Sequence, residues 1–207
     1  NGTTRAFLDA GEIEVSRESM DLPDDGFLWT YAGNVGIAQD LETALDAAAL
    51  LGPGFRLLIL GAGPRLEALR ERARSLPDSA VEFRGLVQPD VAIRYMRASD
   101  ALLVPLKDQP GLTKFVPSKL FDCCAVGRPV VVAASGEASR LAAEASAALT
   151  VAPGDAEALA GAIRSLRDQA ALGEGLAAAG RQFAAQYLRE RQAERLNSLI
   201  YSLRGYR

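Results

Sequence analysis

A chain of 207 residues, 49% hydrophobic and 24% charged, can build a sizeable core, which excludes wholesale disorder. Its net charge of −3 argues against a dedicated nucleic-acid binder, which needs a basic face for phosphates. The absence of histidine excludes a Ser-His-Asp hydrolase or a typical zinc enzyme within this chain, so no metal is expected.

Cys123 and Cys124 are the only cysteines, and an adjacent pair cannot staple distant segments. A reducing cytoplasm fits that usage. No apolar run approaches the roughly 20 residues of a membrane span, and no signal peptide is visible. The start at Asn1 rather than Met reads as a fragment of a longer protein.

In chain order, residues 1–26 carry Glu12, Glu14, Glu18, Asp21, Asp24 and Asp25. They are expected to form a linker or the remnant of a preceding domain, with order starting at Phe27. Short apolar runs follow at Phe27–Gly33, Phe55–Gly61, Val81–Gly85, Ala101–Leu106, Pro129–Ala134 and Ala148–Ala152. They are apolar throughout rather than alternating, as strands covered on both faces are. Between them, Leu41, Ala44, Leu45 and Ala48 repeat at helical spacing, as do Leu66, Leu69, Ala73 and Leu76, and later Leu159, Ala162, Ile163 and Leu166.

Repeated strand–helix alternation predicts an α/β domain over 27–187: a Rossmann-like, doubly wound parallel sheet of about six strands with helices on both faces. Ligands of such sheets bind at the carboxyl ends of the strands. After about residue 154 the pattern is wholly helical, ending in a C-terminal amphipathic helix within 188–207. Its apolar face is Leu196, Leu199, Ile200 and Leu203, and Arg189, Arg191, Arg195, Arg204 and Arg207 outnumber Glu190 and Glu194. That face is expected to dock on protein, either another domain or a second copy of the chain. The rival is an anionic lipid surface at the inner face of the plasma membrane.

Four loops can carry chemistry. In Gly33-Asn34-Val35-Gly36 the glycines permit close backbone approach to a ligand and the following helix start favours an anion; a tight turn with no ligand is the plain alternative. Gly61-Ala62-Gly63-Pro64 resembles the start of a dinucleotide fingerprint, or an ordinary strand–helix turn. Arg84-Gly85-Leu86-Val87 offers backbone to a base edge, or is a simple strand end.

The fourth, Val116-Pro117-Ser118-Lys119-Leu120-Phe121-Asp122, is the richest. Ser118 can cap the next helix, whose free N–H groups with Lys119 suit a diphosphate. Asp122 lies one turn on and can share their face, where a carboxylate accepts hydrogen bonds from ribose hydroxyls. A capped helix with a local Lys–Asp pair is the structural alternative. Cys123 and Cys124 follow and read as core packing.

These loops, together with Phe83-Arg84-Gly85, Ala98-Ser99-Asp100, Pro105-Leu106-Lys107-Asp108 and Ala125-Val126-Gly127-Arg128-Pro129-Val130-Val131, occur in one order. In that order the chain resembles the C-terminal, donor-binding domain of glycosyltransferase family 4 enzymes of the GT-B architecture. Over about 27–170 it is most similar to bacterial members that build surface polysaccharides. The resemblance implies a retaining transfer from a nucleotide sugar, with a UDP-sugar favoured and no cofactor, to a saccharide or lipid-linked acceptor held by an N-terminal domain.

It further implies that Gly33, Asn34, Gly36, Gly61 and Gly63 approach the donor and that Gly36 meets its diphosphate. Gly85 and Val87 would sit by the base. Ser118, Lys119 and Leu120 would offer amides and an ammonium to the phosphates, and Asp122 would hold the ribose. Two positions depart from the family pattern. Lys114 stands where many members carry the first acid of a Glu-x7-Glu pair, with Asp122 at the second. Asn34 and Gln39 stand where an Arg and a Lys are usual, which leaves the charge to Lys119, Lys114 or Lys107.

Catalytic importance is therefore expected at Lys114, Lys119 and Asp122. A sugar-nucleotide 2-epimerase of similar architecture lacks its usual acidic and histidine groups here. A non-catalytic nucleotide-binding or interaction module of the same fold is the alternative from another class. On the transferase reading, self-association through the exposed interdomain face is a further expectation.

Overall fold

The computed structural model describes residues 1–77 and 80–204, the side chains of Leu203 and Arg204 excepted. Six strands, β1 (Phe27–Ala32), β2 (Phe55–Leu60), β3 (Val81–Gly85), β4 (Ala101–Pro105), β5 (Val130–Ala133) and β6 (Leu149–Val151), form one sheet. It is parallel throughout, in the order β3-β2-β1-β4-β5-β6. Each apolar run of the sequence coincides with a strand to within one residue at either end.

Side chains alternate across the sheet, as the strand period of two requires. On one face Trp29, Tyr31, Leu57, Ile59 and Leu103 meet the apolar stripes of α2 (Leu41–Leu51) and α7 (Ala156–Asp168). On the other, Leu28, Leu58 and Leu60 meet Tyr95 and Ala98 of α4 (Pro89–Ala98). Beside them Leu102, Val104, Val130 and Val132 pack on α5 (Ser118–Ala125), α6 (Glu137–Glu144) and α8 (Ala170–Gln186). Each buried Leu, Ile or Val contributes about 1.5–3 kcal/mol of transfer free energy. Cys123 and Cys124 belong to this second core, where burial pushes the Cys123 thiol up to about 12. The helical stripe at Leu66 forms α3 (Leu66–Ala73), which ends before Leu76.

The expectation that order starts at Phe27 is corrected. Arg5–Ala10 forms a helix, α1, and Glu18–Met20 a 3₁₀ turn, while Ala10, Met20 and Leu22 are buried. The acidic residues face outward, so composition concealed a few apolar anchors. Arg17 fixes the segment to the domain: its guanidinium pairs with Asp100 and donates to the carbonyls of Ala98 (3.2 Å) and Gly26 (2.9 Å). At the other end the backbone N–H of Thr3 donates to Tyr187 O and that of Arg189 to Thr3 O, both at 3.0 Å. The first residues are thereby zipped to the turn that follows α8.

The last helix, α9 (Arg189–Arg204), exposes Leu196, Leu199 and Ile200. The Leu203 and Arg204 side chains and residue Arg207, which the sequence placed on its faces, lie outside the described residues. No described helix is long and apolar enough to cross a membrane.

Candidate functional site

Chain order along the sheet reverses between β1 and β4. At such a switch point the loops leaving adjacent strands diverge and open a crevice. A cleft of about 510 Å³ lies there, at the carboxyl ends of the strands. The loop after β3 and helix α4 give it an apolar wall of Leu86, Val87, Pro89, Ala92 and Met96. Asn34 and the first turns of α5, with Ser118, Lys119 and Asp122, give it a polar one. A smaller cavity of about 160 Å³ shares Asn34, Ser118 and Lys119 and reaches Tyr31 and Phe115.

Glycine is required in the floor for reasons of packing. Gly33 has φ +146°, and a Cβ there would strike the Lys119 ammonium. Gly61 has φ +134°, and its Cβ would strike the Gly33 carbonyl; a Cβ on Gly63 would strike that of Val35. The two loops are laced together by Gly33 N–H to Leu60 O and Val35 N–H to Ala62 O, each 2.9 Å. Backbone can therefore approach a ligand at Gly33 and Gly61, which line the cleft, whereas Gly63 serves loop-on-loop packing.

The polar wall starts where α5 starts. Pro117 is the N-cap and makes no side-chain bond, so the first-turn amides of Ser118 and Lys119 lack intrahelical acceptors. The Lys119 side chain folds over Tyr31, its Nζ 3.5 Å from the ring centroid, a favourable cation–π distance. The Tyr31 hydroxyl donates to Asn34 O at 2.5 Å and fixes the ring. Among the described residues Lys119 makes no ion pair. Burial lowers its pKa to about 7, against the opposing pull of Cys123 and Asp122. Asp122 is held above the ordinary carboxylate range by burial, opposed by the Thr3 hydroxyl, Arg189 and Lys119. Its Oδ1 is buried with no hydrogen-bond partner among the described residues.

The comparison with protein families decides what this cleft belongs to. The model described as "Glycosyl transferases group 1" matches residues 27–169, more than half of the chain. The chain belongs to this glycosyltransferase family. It is 33% identical over 134 residues to the D-inositol 3-phosphate glycosyltransferase of Xylanimonas cellulosilytica, a match covering 62% of this chain and 31% of that protein. Sucrose-phosphate synthase from Thermosynechococcus elongatus superposes with TM-score 0.80 at 26% identity, over 100% of this chain and 52% of that one. Anabaena HepE, solved in complex with UDP-glucose, superposes with TM-score 0.78 at 19% identity, over 96% of this chain and 56% of that one. The chain thus spans about a third of this curated relative and about half of these solved structures.

Within this glycosyltransferase fold, Gly33, Asn34, Gly61, Val87, Ser118, Lys119 and Asp122 come together around one cleft. The other positions drawn from the sequence do not line this cleft. The Gly36 amide donates to Gln39 Oε1 at 3.1 Å, and a 3₁₀ turn separates it from α2, so neither meets the cleft. The carbonyl of Gly85 accepts from Gly61 N–H at 2.6 Å, and Arg84 turns away to Glu82 and Asp21. The Leu120 side chain is fully buried and its amide donates to Pro117 O at 3.1 Å. Ser118 is the first helical residue rather than the cap.

Lys114 is exposed and outside the cleft wall, and Lys107 faces Glu42. Phe7, Pro89, Ala92 and Met96 line the cleft without having been read from the sequence, while Leu86 and Tyr31, which lie in the loop after β3 and in the first apolar run, had been given no role of their own. The helical spacing of Met96 on α4 marks it as core, and only the sheet's geometry turns its edge toward the cleft.

Proposed function

We propose that the chain is the nucleotide-sugar-binding half of a retaining glycosyltransferase of the surface-polysaccharide type, with a UDP-sugar as donor. The observation that carries this reading is Lys119. A largely buried lysine that makes no ion pair among the described residues, beside the first-turn amides of a helix with no side-chain cap, suits an anion. Its ammonium and the amides of Ser118 and Lys119 bind the diphosphate. Asp122, which lines the cleft one turn beyond Ser118, accepts hydrogen bonds from the ribose hydroxyls. The backbone at Val87 takes the base edge, and Gly33 and Gly61 let the phosphates lie against the floor.

The reaction breaks the bond between the donor's anomeric carbon and the diphosphate oxygen and forms one from that carbon to the acceptor's hydroxyl oxygen, whose proton passes to the leaving diphosphate. Charge develops on the leaving oxygen, so a fixed cation and amides that need not reorganise favour the transition state. The UDP-glucose held by HepE, of the same fold, supports uridine as the base. The acceptor, a saccharide or a lipid-linked one, is bound by another domain at the cytoplasmic face of the membrane. Lys114 has no part in this arrangement.

Isothermal calorimetry on the chain with UDP, UDP-sugars, GDP and ADP tests the reading. UDP should bind weakly and in preference to GDP and ADP. No heat and no chemical-shift change at saturating UDP and UDP-sugars would sink it.

A further inference from the structure

The wall contributed by the N-terminal segment carries the next step. Phe7 of α1 lines the cleft beside Met96, Ala92 and Pro89, in the segment whose composition suggested a linker. It is half-buried, packed on the core that holds Met96, Leu120 and Phe121, and leaves part of its surface to the cleft. The segment is anchored at both ends of its first residues. Asn1 Nδ2 donates to Val116 O at 2.7 Å, and Arg189 Nε donates to Gly2 O at 3.0 Å. A Cβ at Gly2 would collide with the Tyr187 carbonyl, so the strap fits closely. Among the residues lining the cleft Phe7 is the aromatic one, and Leu86, 82% exposed, stands on the same apolar wall.

Such a wall excludes charge and favours the flat, weakly polar part of a ligand whose charged end lies at Lys119. On the proposed reading of this cleft as a nucleotide-sugar site, we infer that Phe7 is the aromatic platform for the donor's nucleoside. The N-terminal segment is then the base-holding wall of the site. Base–aromatic contact contributes through the π face and is lost on truncation to alanine, whereas the diphosphate does not feel it.

The test compares UDP with inorganic pyrophosphate, by calorimetry on the 207-residue chain. Phe7→Ala should weaken UDP about tenfold, the scale of one base–aromatic contact, and leave pyrophosphate within about twofold of wild type. Phe7→Leu keeps apolar packing against α4 and α5. It should melt like wild type and still lose UDP selectively, while Phe7→Trp should bind UDP at least as well as wild type.

Equal loss of UDP and pyrophosphate in Phe7→Ala, or wild-type UDP affinity in Phe7→Leu, overturns the assignment and leaves the donor-site reading standing. A wild-type chain that binds pyrophosphate and not UDP overturns both.

Discussion

At the scale of residues, Lys119 decides how the site responds to pH. Free, it loses its proton near pH 7 because burial penalises the ammonium. A diphosphate beside it favours the charged form and raises that pKa, so binding above pH 7 takes up a proton. Affinity for UDP should therefore fall as pH rises from about 7 towards 9. Calorimetric heats at pH 8 should vary with buffer ionisation enthalpy in the sense of uptake. Lys119→Met should remove both effects, and a pH slope that survives in that variant would place the titrating group elsewhere.

Lys119→Ala should weaken UDP by about 1–3 kcal/mol, the scale of a charge-assisted hydrogen bond in a partly buried site. Asp122→Ala should cost about as much for UDP and nothing for pyrophosphate, since its partner is the ribose. These two residues and Ser118 were legible because one helical turn carries all three. Phe7 and Tyr31 were not, because they reach the site only through tertiary packing across 112 and 88 positions from Lys119 (119 − 7 and 119 − 31).

At the scale of elements, the strands were legible because each is short and, apart from β3 with Glu82 and Arg84, mostly apolar. The segment before Phe27 was not, since its order depends on Arg17 reaching Asp100 and on Thr3 pairing with the α8–α9 corner. Neither partner can be found by local periodicity. The glycine-rich loops were located, but their glycines proved to serve different ends. Gly85 has φ +66° and open space around a Cβ, so Gly85→Ala should cost about 1–2 kcal/mol of backbone strain alone. Gly61 has a φ that L-residues rarely adopt and a carbonyl in the way. Gly61→Ala should cost about 3 kcal/mol or more. Urea unfolding of both variants checks the order, and equal losses would contradict the packing account.

The tail makes a further case. α9 leaves Leu196, Leu199 and Ile200 58%, 57% and 39% exposed. The stripe is short and has no tryptophan, which suits protein better than lipid. Co-sedimentation with anionic vesicles should be the same with and without residues 188–207. Tail-dependent binding that vanishes at high salt would reverse that preference.

At the scale of the whole molecule, the cleft is an open edge. Leu86, on the loop after β3, is 82% exposed, and Phe115, on the loop after β4 and lining the adjoining smaller cavity, is 46% exposed, so this rim is apolar and uncovered. A rim of that kind is where another body closes, and this chain spans only about half of the solved structures it resembles. Transfer requires the acceptor's attacking oxygen about 3–3.5 Å from the anomeric carbon, a proximity worth several kcal/mol of the barrier. It also requires water to be excluded while the donor bond breaks. On the proposed reading the residues lining the cleft take the diphosphate and the nucleoside, and none of them is assigned to an acceptor. The 207-residue chain by itself should therefore bind UDP-sugar without transferring the sugar. Incubation with radiolabelled UDP-sugars and a panel of saccharide and lipid-linked acceptors should yield no labelled product. Under the same conditions, calorimetry should still register binding. Labelled product from this chain alone would mean that its own loops assemble an acceptor site, and would overturn the division of labour proposed for the cleft.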